Sequence, residues 1–228
     1  DSYIMGSSRM FLTRPDVVEK YIPEGKFYNL ATVFGTMYEH LLHVKYFIQH
    51  GYRVKNLYIG LDADMYFTVK IHDDKDLLLK LHPEVANKNP MDFYWSYLST
   101  LPKVDLRRKL KVNFNKKTSS KYEIEKDGAL AVGSETGDNQ VFIENPIPFD
   151  KLRIRDERLR GNLEALRELV ALCREHPINL ILFITPYHQN LMDRFVDEDY
   201  LTFLRELSEI TAFWDFSGYN SITTDNRN

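Results

Sequence analysis

The chain has 228 residues, 43% hydrophobic, 28% charged and 13% aromatic, with a formal net charge of -3. That is too apolar and aromatic for a disordered tail and too highly charged for a bundle of membrane helices, and the length suits one large domain with a real core. Lysine and arginine number 30 against 33 acidic residues, which gives no support for a nucleic-acid coat or a polybasic membrane patch, and the single Cys173 alone builds neither an internal disulfide nor a thiolate metal site.

In chain order, Tyr3-Ile4-Met5 reads as a strand ending at Gly6, and Phe27 to Ala31 as the next. From Thr36 to His50, Met37, Leu41, Leu42, Val44, Tyr46, Phe47 and Ile48 recur at helical spacing, and Gly51 stands where a C-cap glycine belongs. Val54 to Leu61 predicts a further strand. Asp156 to Glu175 is the clearest helix, with Leu159, Leu163, Leu166, Leu169, Val170 and Cys173 at steps of three and four and charge on the other face. Pro177 stops it, and Asn179 to Ile184 follows as an apolar strand. The uninterrupted apolar run there, Leu180 to Ile184, falls far short of the roughly 20 residues of a spanning helix. Asp197 to Ile210 predicts an amphipathic helix and Thr211 to Asp215 a last short strand.

Strand and helix in alternation predict a three-layer α/β/α fold of flavodoxin-like type with a mainly parallel sheet. Residues 62–150 break the alternation and read as an inserted mixed segment of a single domain, a possible lid. Helical stretches are expected near Asp76–Leu81, Met91–Leu101 and Asp105–Leu110, with a hairpin around Tyr122–Val132. Strand-like sequence opens the chain almost at once and a polar run, Thr223 to Asn228, closes it, so it reads as a piece cut from something longer; no signal peptide is evident.

In open α/β sheets ligands bind at the carboxyl ends of the strands. Here those ends carry Gly6-Ser7-Ser8-Arg9, Asn29 with Gly35, Gly60-Leu61-Asp62, Thr185-Pro186-Tyr187-His188 and Asp215-Phe216-Ser217-Gly218. A serine at such a turn, beside free backbone N–H groups, suits acyl chemistry; the same serine also suits an N-cap.

Asp1 to Arg9 (DSYIMGSSR) resembles block I of the SGNH (GDSL-like) hydrolases, in which the last Ser of Gly-Asp-Ser or Gly-Ser-Ser is the nucleophile; Ser8 holds that position. Asn29 followed by Gly35-Thr36 is similar to block II, which supplies an oxyanion-hole glycine, and Gly60-Leu61-Asp62 is similar to block III with Asp62 in place of the oxyanion Asn. A carboxylate accepts hydrogen bonds and cannot donate one. Three alternatives stand: Asp62 is protonated, it orients Ser8 and Arg9, or the hole is built differently. No Asp-x-x-His of block V occurs, and the resemblance of Phe213 to Asn220 to what precedes that block places it just after Asn228. The pattern is similar to SGNH-like proteins of bacterial envelope biosynthesis, relatives of the teichoic-acid D-alanylation and alginate O-acetylation proteins. The resemblance implies a serine esterase or acyltransferase acting on acylated carbohydrate or another small ester. It implies no cofactor, no metal and no nucleic-acid partner, and an extracytoplasmic place held by an anchor absent from this chain. Ser8 attacks in this reading, with the Ser8 and Gly35 N–H groups as the oxyanion hole, and Arg9, Asn29, Tyr187 and His188 contact substrate or, for Arg9, pair with Asp62. The alternative is a non-catalytic module of the same fold that binds carbohydrate or a partner protein.

His188 reads as a substitute base, a pocket residue or an ordinary loop histidine. His40 and His43 form at most half a metal site. Asp62, Asp64, Asp73 and Asp74 do not match a calcium loop. Lys116 to Lys121 reads as an exposed loop, and Met91 to Tyr97 as packing for the inserted segment or the lining of an apolar pocket.

Overall fold

Period-two alternation sorts the strand side chains onto two faces, and the helices cover each face differently. The computed structural model describes residues 1–22, 24–64, 81–100, 122–124, 130–132, 151–153, 156–221 and 223–224. Five strands, β1 (Ser2–Met5), β2 (Phe27–Asn29), β3 (Asn56–Leu61), β6 (Asn179–Ile184) and β7 (Trp214–Asp215), pair in the order β2-β1-β3-β6-β7, every pair parallel. Numbered within this sheet the order is 2-1-3-4-5, the flavodoxin-like arrangement of a doubly wound fold. A separate antiparallel pair, β4 (Tyr122–Ile124) with β5 (Leu130–Val132), forms the expected hairpin.

One face of the sheet presents Met5, Leu57, Ile59, Leu61, Leu182 and Ile184, each at most 2% exposed. Helix α2 (Met37–Gln49) covers it with Met37, Leu41 and Val44, and α4 (Asp156–Glu175) with Leu159, Leu163, Leu166, Leu169 and Cys173. Tyr200, Phe203 and Leu207 of α6 (Asp197–Ser208) complete this layer. The α2 N-terminus is a full capping box between Thr36 and Glu39, and Asn162 Oδ1 accepts the Met37 N–H at 3.2 Å, which fixes α4 against the start of α2. At the other end Gly51 takes φ +71°, the left-handed conformation expected of a residue just past a helix.

The opposite face carries Ile4, Phe27, Tyr58 and Phe183, packed by Met10 and Val18. Met10 lies on a 3₁₀ turn (Ser8–Leu12) and Val18 on α1 (Pro15–Tyr21). Helices on both faces make the fold the three-layer α/β/α arrangement that the alternation predicts. The 3₁₀ turn and α1 are elements the apolar spacing did not reveal. Their trace in the sequence is Pro15 at the first helical position followed by Asp16, a helix-start pattern without a long apolar stripe behind it.

Within the inserted segment, α3 (Pro90–Thr100) coincides with the helix expected near Met91. Among its described side chains Met91, Tyr94 and Trp95 are exposed, at 71%, 61% and 75%, and Phe93 is half-buried, so these three do not pack a core. The helices expected near Asp76 and Asp105, together with Asp73, Asp74 and Lys116 to Lys121, lie outside the described residues. Helix α5 (Gln189–Met192) is a single turn after β6. Among the described residues no helix is long and apolar enough to cross a membrane.

Candidate functional site

The connection leaving β1 runs to β2 on one side and that leaving β3 runs to β6 on the other, so the crevice at the carboxyl ends of β1 and β3 is the switch point where doubly wound folds bind ligands. Gly6 opens the β1 end. Its φ of +147° is one that side-chain-bearing residues rarely adopt, and an added Cβ would lie 2.4 Å from Met10 Cγ and 2.9 Å from Gly60 O. The chain therefore turns sharply over β3 and enters the 3₁₀ turn with Ser7 as N-cap, its Oγ accepting the Arg9 N–H at 3.3 Å.

The turn separates the two serines by environment. Ser7 is 3% exposed and its hydroxyl donates to Asp62 Oδ2. Ser8 is exposed, and its hydroxyl has no hydrogen-bond partner among the described residues. Of the two roles open to these serines, Ser7 takes the cap, and Ser8 is held out at the crevice with a free hydroxyl.

Asp62, at the end of β3, is 3% exposed and surrounded by donors. Beyond Ser7, Thr185 Oγ1 at the end of β6 donates to its Oδ1 at 2.5 Å, and Arg9 Nη1 lies 3.2 Å from the same oxygen. Asp64 grips the guanidinium from a second side, with Nη1 and Nη2 donating to its two oxygens at 3.0 and 3.1 Å. The face of Tyr187 lies 5.3 Å from the Arg9 guanidinium carbon. Burial alone would lower the Arg9 pKa, but Asp62 and Asp64 outweigh it and hold the group above its ordinary value. Asp62 thus contacts Arg9 as the orienting alternative expects, with Ser7 rather than Ser8 as the serine it holds.

Tyr187 is 1% exposed; its hydroxyl accepts the Ala63 N–H at 2.5 Å and donates to Leu61 O at 3.2 Å. Burial, then Asp62 and Asp64, push that hydroxyl well above its usual pKa, so it stays neutral. Asn29 is equally occupied: its Nδ2 donates to Met10 O at 2.7 Å and Thr13 O at 2.9 Å, bracing the 3₁₀ turn, and its Oδ1 accepts the Ala31 N–H. The structure thus gives both residues scaffold contacts around the crevice.

Gly35 sits at the same edge, where an added Cβ would lie 2.7 Å from Gly6 O and 3.1 Å from His40 Cε1. Its N–H donates to Thr32 O at 3.1 Å, so in this structure the amide closes a turn. His188 is half-buried and caps α5, its Nδ1 accepting the Asn190 N–H at 3.2 Å. His43 Nδ1 donates to Glu39 O at 2.9 Å, and burial lowers the ring's pKa. Among the described residues no group of His, Cys, Asp and Glu is arranged to hold a metal.

Beyond the 3₁₀ turn, a cavity of about 470 Å³ opens between Leu12, Val17, Tyr21 and Tyr58 on the face that α1 covers. Thr185 and Asp64 escaped the sequence reading as a pair because what unites them is Asp62 and Arg9, which neither spacing nor polarity reveals. Comparisons with protein-family models, with curated proteins and with solved structures return no match for this chain.

Proposed function

We propose that the chain is an SGNH-like serine esterase or acyltransferase acting on acylated carbohydrate or another ester of the cell envelope, with Ser8 as nucleophile. The observation that carries the reading is the division between the serines. Ser7 is buried and bonded to Asp62, while Ser8, one residue on, is presented at the switch point with an unengaged hydroxyl. A turn braced by Asn29, Asp62 and Gly6 positions that hydroxyl, and activation by a base is the further requirement of a nucleophile.

In this reading Ser8 Oγ forms a bond to the acyl carbon as its proton passes to a base, and the carbonyl pair moves to oxygen. Collapse expels the alcohol, which takes a proton, and the acyl group then passes from Ser8 to water or to an acceptor hydroxyl. The resemblance assigns the base to an Asp-x-x-His pair, a motif that does not occur among these 228 residues. The test is hydrolysis of p-nitrophenyl acetate and of an O-acetylated polysaccharide by the full-length protein and by Ser8→Ala. Activity lost in the variant with an unchanged melting temperature supports the reading; equal activity in both refutes it.

One observation favours a second reading, a binding module of the same architecture. Asp62 only accepts hydrogen bonds, and Ser8 contacts no base among the described residues. That reading expects Ser8→Ala to bind acetylated polysaccharide as the parent does, with neither protein hydrolysing it.

A further inference from the structure

The hydrogen-bond donors at the crevice are nearly all engaged. Gly35 N–H goes to Thr32 O at 3.1 Å, Arg9 N–H to Ser7 Oγ at 3.3 Å, Met10 N–H to Ser7 O at 2.9 Å and Ala63 N–H to Tyr187. Two sources of N–H remain on Ser8 and its neighbour in the chain. One is the Ser8 amide itself, an unbonded amide at the start of the 3₁₀ turn. The other is Arg9. Asp62 and Asp64 engage Nη1, and Asp64 engages Nη2 once, which leaves the Nε–H and the second Nη2–H uncommitted. The bidentate grip of Asp64 and the ring of Tyr187 hold the guanidinium in place, and its side chain is 33% exposed.

We propose that Arg9 is a catalytic residue that, with the Ser8 N–H, holds the acyl oxygen of the substrate as it becomes an oxyanion, and that Asp62 is the positioning residue for it. The inference rests on the acyl-transfer reading above. Asp62 cannot donate to an oxyanion, but it holds in place a neighbouring group that does. The negative charge that accumulates on the carbonyl oxygen when Ser8 Oγ adds to the acyl carbon is met by a hydrogen bond from Arg9, and it returns to the carbon–oxygen double bond as the alcohol leaves. Because two carboxylates flank the guanidinium, Arg9 acts through directed hydrogen bonds rather than as a free positive charge.

The test is the rate at which a fluorophosphonate labels Ser8 in the full-length protein, since the phosphoryl oxygen takes the place of the acyl oxygen. Arg9→Ala is expected to slow labelling by about 10²–10³-fold, as loss of an oxyanion donor does elsewhere. Arg9→Gln, which keeps a neutral donor, is expected to fall between, and it stands in for Arg9→Ala should thermal unfolding show that variant misfolded. Labelling of Arg9→Ala at the parent rate, or of Arg9→Gln no faster than Arg9→Ala, overturns the donor role while leaving Ser8 as nucleophile. A parent protein that is folded and unlabelled overturns the acyl-transfer reading and the inference with it.

Discussion

Replacing Asp62 by alanine removes the acceptor on which the carboxyl ends of β1, β3 and β6 converge. The residue is 3% exposed, and its loss leaves the hydroxyls of Ser7 and Thr185, 3% and 4% exposed, without their acceptor. A buried donor that loses its partner costs about 1–3 kcal/mol. Thr185 sits at the low end, because its Oγ1 also reaches Leu61 O at 3.4 Å. Arg9 adds little: its side chain is one-third exposed and it keeps the bidentate contact with Asp64, so its share is discounted to that of a surface pair. The expected destabilisation is about 3 kcal/mol, and at roughly 2–4 °C per kcal/mol for a chain of this size the melting temperature falls by about 6–12 °C. The assay is urea unfolding, in which the midpoint drops and the slope is unchanged, because the core and the surface exposed on unfolding remain the same. Asp64→Ala, at the rim of the same cluster, is expected to cost about 1 kcal/mol or less. A loss below about 1 kcal/mol for Asp62→Ala, or a larger one for Asp64→Ala, refutes the view that Asp62 ties the strand ends together.

The two serines make opposite predictions: Ser7→Ala loses a cap and a buried hydrogen bond and is expected to cost about 1–2 kcal/mol, whereas Ser8→Ala leaves stability within about 0.5 kcal/mol, both read by thermal unfolding. Gly35→Ala sets a Cβ 2.7 Å from Gly6 O, a backbone atom that cannot swing aside, so calorimetry is expected to show a loss of about 1–3 kcal/mol. Burial raises the Cys173 thiol from 9.0 to about 11. Its folded pKa lies above the unfolded one, so its contribution is complete below pH 9 and is lost as pH rises toward 11. Urea midpoints measured across that range are expected to fall less steeply in Cys173→Ala than in the parent, and parallel profiles would contradict the assignment.

Most of the sheet was legible because its central strands, β1 and β3, are largely buried on both faces and read with β6 as apolar runs. Asn179 to Ile184 matches β6 residue for residue, and the stripe from Leu159 to Cys173 lies on α4 as its spacing demands. Where bounds moved they moved at ends. The strand expected from Val54 begins at Asn56, and the one expected from Thr211 is reduced to Trp214–Asp215. The 3₁₀ turn and α1 stayed hidden because they are short, and only Met10, Val18 and Pro15 among their residues are buried. At the site, the strand-end rule placed Ser7, Ser8, Asp62 and Tyr187 around one edge before any coordinates. Which serine is buried could not be read, since it depends on the turn at Gly6 and on Asp62, some fifty residues away in sequence. Asn29 and Tyr187 mark the same limit. Each is polar and at a strand end, yet partners distant in sequence hold them as braces of the crevice.

The central claim is that Ser8, and not its neighbour Ser7, is a covalent nucleophile. Treating the folded full-length protein with a fluorophosphonate and mapping the adduct by peptide mass spectrometry tests it most directly. The account predicts a single adduct on Ser8, absent from Ser8→Ala and retained in Ser7→Ala wherever that variant folds. A folded protein that carries no adduct, or carries one on Ser7, would contradict it.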